Sequence, residues 1–180
     1  MDVMELELSD AEAIEDLANH HYPADYSIPL ADICDNLTKK DKESFFLGLK
    51  NEKGQLLGYL IGWIDNTMVD GRKEDVMLVD DVVVKLEARH QFHRLLAAMI
   101  EEMKARDFGM LPLEASTRPE ASDKITGHPN AFARLGYELT QTALIFDEEF
   151  QEELTWIRYE SILEEESVID EKDRLEVEFE

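Results

Sequence analysis

Val76-Met77-Leu78-Val79-Asp80-Asp81-Val82-Val83-Val84 is an apolar run interrupted by two acids. Its β-branched residues, over so short a length, predict a central strand. A connection follows, KLEARHQFHR from Lys85 to Arg94, and the chain then runs on as LLAAMIEEMKAR to Arg106. Phe92, Leu95, Leu96, Met99 and Met103 recur at helical spacing, so this segment reads as an amphipathic helix. A second apolar run, MLPLEAS from Met110 to Ser116, supplies the next strand and completes a βαβ unit.

The connection carries an unusual charge. The whole chain is −24, yet Lys85, Arg89 and Arg94, with His90 and His93, face only Glu87 there. Cations at a helix N-terminus oppose the macrodipole by roughly 0.3–1 kcal/mol each. An anion bound at the free N–H groups would relieve that opposition. A solvated turn of mixed charge is the plainer reading of the same residues.

Val84-Lys85-Leu86-Glu87-Ala88-Arg89 resembles the V-x-P-x-x-R that ends strand 4 of GNAT-superfamily N-acyltransferases. Asn130-Ala131-Phe132-Ala133-Arg134-Leu135-Gly136-Tyr137 is similar to that family's A-x-Y-x-x-L-G-F, and the hairpin Phe45 to Ile64, with GYLIGWI, to its strands 2 and 3. The resemblance runs from Met1 to Phe146. It implies an α/β fold, a mixed antiparallel-to-parallel sheet with helices on both faces, and transfer of an acyl group from acetyl-CoA to an amine. It further implies that the backbone of Val82, Val83 and Val84 meets the thioester carbonyl and pantetheine. The turn holding Arg89, His90, Gln91, His93 and Arg94 would meet the pyrophosphate. The family's glycine positions in that turn are held by His90, Phe92 and Arg94, and its tyrosine by Phe132, which has no hydroxyl to donate.

N-acyl transfer needs an amine deprotonated and a carbonyl polarised. Asp80 and Asp81 are the candidate bases. On a strand they face opposite sides, so only one reaches a cleft. Glu114 on the following strand is a weaker candidate. The plain alternative for either aspartate is a structural carboxylate bonded to nearby backbone. No GxxxxGK[ST], GxSxG, HExxH or paired CxxC occurs, so no metal site is expected.

Hydrophobic residues make up 44% of the 180, enough for a real core. No run reaches the ~18 apolar residues of a membrane span. The start, MDVMELELSD, is acidic and alternating and does not read as a signal peptide. The one cysteine, Cys34, fits a reducing compartment, and the expected location is cytoplasmic. The strong negative charge argues against direct nucleic-acid binding and favours solubility, a basic protein partner or mimicry of nucleic acid; a small amine is the other expected substrate.

Met4, Leu6 and Leu8 alternate with acids as in a half-buried strand, and Ser9 with Glu12 reads as a capping box opening a helix to about Asn19. His20 and His21 follow as incidental loop residues. Ser27 to Leu37 reads as a short helix; with Tyr22 and Tyr26 nearby it could line the substrate side, as that segment does in the resembling family. Asn66 to Glu74 and Thr117 to Gly127 read as polar loops. Pro129 opens a short helix ending near Gly136, and Tyr137 to Phe146 is a strand. Residues 1–146 are thus expected to form the domain. Residues 147–180, with 15 acids and 3 bases, form an acidic extension. In it Phe150, Leu154, Ile157, Ile162 and Leu163 suggest an amphipathic helix to about Glu165, and Leu175, Val177 and Phe179 a last strand. A second reading of the whole chain is a catalytically silent module of the same fold, its acidic segment contacting a basic partner.

Overall fold

The computed structural model describes residues 1–22, 28–117 and 129–162. Its contacts divide the chain into two compact units, Met1–Ser116 and Thr117–Glu180.

In the first unit, β1 (Asp2–Glu5), β2 (Ser44–Lys50), β3 (Leu56–Val69) and β4 (Arg72–Val84) pair antiparallel in sequence order. β5 (Leu113–Thr117) then pairs parallel to β4. The helix α3 (Phe92–Ala105) makes that parallel step possible, as the strand–helix–strand reading expects.

Both faces of this sheet are covered. Phe46, Tyr59, Ile61 and Val83 share one face and pack with Ala11, Ile14, Leu17 and Ala18 of α1 (Ala11–His21) and Ile33 and Leu37 of α2 (Leu30–Thr38). Phe45, Leu47, Leu49 and Leu60 alternate onto the opposite face. There α3 lies against β2 with Leu95, Leu96, Met99, Ile100 and Met103 buried. Each such side chain contributes about 1.5–3 kcal/mol of burial.

Several local expectations are corrected. Of the alternating Met4, Leu6 and Leu8, only Leu6 is buried, and β1 ends at Glu5. The first helix is not opened by Ser9 and Glu12. Asp10 accepts the Glu7 N–H at 2.9 Å and pairs with Lys50 at 2.8 Å, tying a 3-10 turn, Leu8–Asp10, to β2. From there α1 runs through His20 and His21, and α2 begins only at Leu30.

A further correction falls on Asn66 to Glu74. These residues form no loop: β3 and β4 continue through them to a tight turn at Asp70-Gly71. Both turn residues have positive φ, 50° and 76°, the geometry that favours Asp-Gly in a two-residue hairpin. Its polar composition reflects strands that project into water, where no apolar alternation is required.

In the second unit, α4 (Pro129–Arg134) leads into β6 (Tyr137–Asp147), which pairs antiparallel with β7 (Glu152–Ser161). The helix expected from Phe150 to Glu165 is therefore a strand over Glu152–Ser161. Thr155, Trp156, Ile157 and Tyr159 are strand formers, and cross-strand pairing with β6 outweighs a loose helical spacing. The last strand at Leu175 to Phe179 and most of the loop Thr117 to Gly127 lie outside the described residues.

Candidate active site

The site is built on an irregularity of β4. Across the β3–β4 ladder Asp81 faces Ile61 and Val79 faces Gly62, so Asp80 is the extra residue of a β-bulge. Gly62 makes the bulge possible: a Cβ there would lie 2.9 Å from the Leu78 carbonyl oxygen. On the other side of β4, pairing with β5 is registered only at Met77 with Leu113 and Leu78 with Glu114. Beyond Leu78 the described residues of β4 and β5 are no longer paired.

The ladder alternation decides which amides this exposes. The Lys85 N–H donates to the Leu57 carbonyl at 2.8 Å. Val83 opposite Tyr59 occupies the same hydrogen-bonded phase of the ladder, so its N–H points to β3. Val82 and Val84 point the other way, to the side where β5 has left. Of the three valines expected to offer backbone donors, Val83 therefore does not. The Val82 N–H also serves the carboxylate of Asp81.

The two aspartates are in different states. Asp81 is 8% exposed and both oxygens are taken. Tyr22 donates to Oδ1 at 2.5 Å and Tyr59 to Oδ2 at 2.7 Å. Burial raises its carboxyl above the ordinary range, opposed by the tyrosine hydrogen bonds, His21 and the Val82 amide. Tyr59, wholly buried, is pushed above its own ordinary value by burial and by Asp81. Asp81 thus fastens the end of α1 to the middle of the sheet. Asp80, by contrast, keeps an exposed side chain. Its carboxyl is raised first by the protein mass around it and then by the charge of Asp81. Glu114 stands half-buried on β5, opposite Leu78.

The basic connection is closed. Leu86–Gln91 form a 3-10 turn that runs directly into α3, with the Ala88 N–H on the Lys85 carbonyl and the Phe92 N–H on the Arg89 carbonyl. No residue from Lys85 to Arg94 has positive φ. An amide nest for pyrophosphate needs left-handed backbone, which His90, Phe92 and Arg94 do not favour. The backbone cradle implied by the family turn does not fit here. What the turn offers instead is side-chain charge: Arg89, His90 and His93 are exposed, while Gln91 is half-buried with its Oε1 unpartnered. His93 Nδ1 lies 3.0 Å from the His90 carbonyl. Arg94 is drawn elsewhere, donating to the Met1 carbonyl at 2.6 Å.

In the second unit Phe132 stacks on Tyr159, rings parallel within 7° and 3.9 Å apart. The buried Tyr159 hydroxyl has no partner there, and burial pushes it up to about 12. Tyr137 is fully buried in β6 and is likewise raised by burial. No group of three or more metal-ligating side chains occurs among the described residues. Nor is any helix there long and apolar enough to cross a membrane.

Sequence reasoning named both aspartates but not Tyr59 as the partner of Asp81. Tyr59 sits in the GYLIGWI run, and only the β3–β4 register brings it to residue 81.

No family model and no curated protein matches the sequence. Solved structures do match the fold. Ard1 from Thermoplasma volcanium is 13% identical, with 91% of this chain and 98% of that one covered at a TM-score of 0.63. YncA from Salmonella typhimurium, a putative acetyltransferase with its cofactor acetyl-CoA, is 18% identical, covering 91% and 94% at 0.63. A GNAT-superfamily phosphinothricin acetyltransferase from Sinorhizobium meliloti, in complex with acetyl-CoA, is 13% identical, covering 89% and 88% at 0.61. The chain has the fold of the GNAT acetyltransferases, as the sequence motifs imply.

Proposed function

We propose that the protein is an acyl-CoA-dependent N-acyltransferase acting on a small amine or a basic protein. The observation that carries this reading is the parting of β4 from β5 at the Asp80 bulge, which leaves the Val84 amide on an edge that no strand among the described residues pairs. Such an edge can take the amides of an extended pantetheine arm as an added strand would be taken. Acetyl-CoA bound in the fold neighbours YncA and the phosphinothricin enzyme supports the same class of donor.

Asp80 is the base in this reading, because it is exposed and its raised carboxyl is better matched to neutral pH than an ordinary one. The amine nitrogen attacks the thioester carbon, its proton passes to Asp80, and the C–S bond breaks to release the CoA thiolate. Asp81 positions the strand rather than touching the reacting atoms. The phosphates are held by side-chain cations, Arg89 foremost. The test is thiol release from acetyl-CoA in the presence of mixed primary amines and basic peptides. Amine-dependent release is expected; its absence with every acceptor would overturn the reading.

A further inference from the structure

The outer side of β6 differs from the rest of the surface. Charged residues are 33% of the chain, yet Leu139 to Phe146 contains none. Every residue from Glu138 to Phe146 is exposed. Leu144 is 68% exposed, Phe146 58% and Leu139 41%. The ladder to β7 puts these three on one face, since their partners are Tyr159, Thr155 and Glu153, two or four residues apart. Among the described residues β6 pairs only with β7 and is the edge strand of the sheet. Edge strands are ordinarily blunted by charge, proline or bulges against pairing. The one irregularity of β6, at Thr140, lies toward its beginning and leaves Gln141 to Phe146 regular.

We infer that this strand is an interface and that its occupant is a second copy of the same chain, joined antiparallel along β6. The charge pattern selects that occupant. A basic partner would find nothing to grip on eight uncharged residues, whereas an identical strand is neutral over the same span. A two-fold axis at Thr142 sets Gln141 opposite Ala143 of the second copy, within the regular span. The acids Asp147, Glu148 and Glu149 then lie beyond the paired span.

Each copy carries −24, so long-range repulsion opposes the dimer and salt should relieve it. Sedimentation equilibrium of the full chain, at about 50 mM and about 500 mM salt, reads this directly. The expected result is a dimer with Kd near ~1 µM that tightens as salt rises. Leu144→Asp with Phe146→Asp should raise Kd by roughly 100-fold or more. Both side chains are already exposed, so the melting temperature of the monomer should stay nearly constant, which separates interface loss from unfolding. A dimer untouched by this pair of substitutions would overturn the inference. So would a chain that is monomeric at every salt concentration at about 100 times that Kd. A monomer that dimerises only when cut after Ile162 would show residues 163–180 covering the strand instead. Capture by a basic peptide, lost on adding salt, with no self-association, would put a foreign partner there.

Discussion

The Tyr59 hydroxyl donates to Asp81 Oδ2 at 2.7 Å, across β3 and β4 in the interior of the sheet. A hydrogen bond to a charged group contributes about 1.5–3 kcal/mol, and losing it leaves a buried oxygen short of a partner. Tyr59→Phe should therefore lower stability by about 2 kcal/mol, with Tyr22→Phe costing less because that contact is only part-buried. Chemical denaturation checks this; equal, negligible losses at both positions would show Asp81 satisfied without them.

The pH dependence follows from the raised carboxyl of Asp81. A group whose folded pKa exceeds its unfolded one contributes stability that is complete below the unfolded value and is lost as pH rises through the folded value. Asp81→Asn cannot titrate. Relative to the unmutated chain, its melting temperature should improve as pH is raised from about 3 to about 7. A difference independent of pH would show that burial does not perturb this carboxyl.

Asp80→Asn should cut acyl transfer by roughly 100-fold or more, the usual scale for a general base. In the unmutated enzyme the rate should fall as pH drops through a value above the ordinary carboxylate range, as Asp80 takes up a proton. Asp81→Asn, compared at temperatures where both variants are folded, should act far less on the rate and more on the melting temperature. The opposite ranking in rate would exchange the two roles.

Gly62→Ala forces a methyl against the Leu78 carbonyl at 2.9 Å, which is backbone and cannot swing aside. Overpacking of this kind costs about 1–3 kcal/mol, and here the yielding element is the Asp80 bulge. Activity should drop by more than the loss of folded protein explains. Retention of full activity in the folded fraction would separate the bulge from function.

Much of the fold was legible in the sequence because β4, α3 and β5 are periodic and their core faces are apolar. The Asp70-Gly71 turn was equally legible, but the strands around it are polar and masked it. β7 was misread because Leu154, Ile157 and Ile162 satisfy a loose helical spacing while the deciding contacts lie on β6. Both aspartates were visible as acids in an apolar run, and the bulge that separates their roles was not. It depends on Gly62 across the ladder, a relation that appears only when β3 and β4 are in register. The absence of glycine from Lys85 to Arg94 accords with a 3-10 segment in which no residue has positive φ.

Binding of acetyl-CoA, followed by calorimetry as salt is raised, tests the central claim most directly. Saturable binding is expected that weakens with salt, because side-chain cations rather than amides meet the phosphates. Arg89→Ala should weaken it more than Arg94→Ala, whose guanidinium is already committed to the Met1 carbonyl. No binding by the unmutated protein at about 1 mM acetyl-CoA, at the upper end of ordinary substrate affinities, would contradict the acyltransferase account.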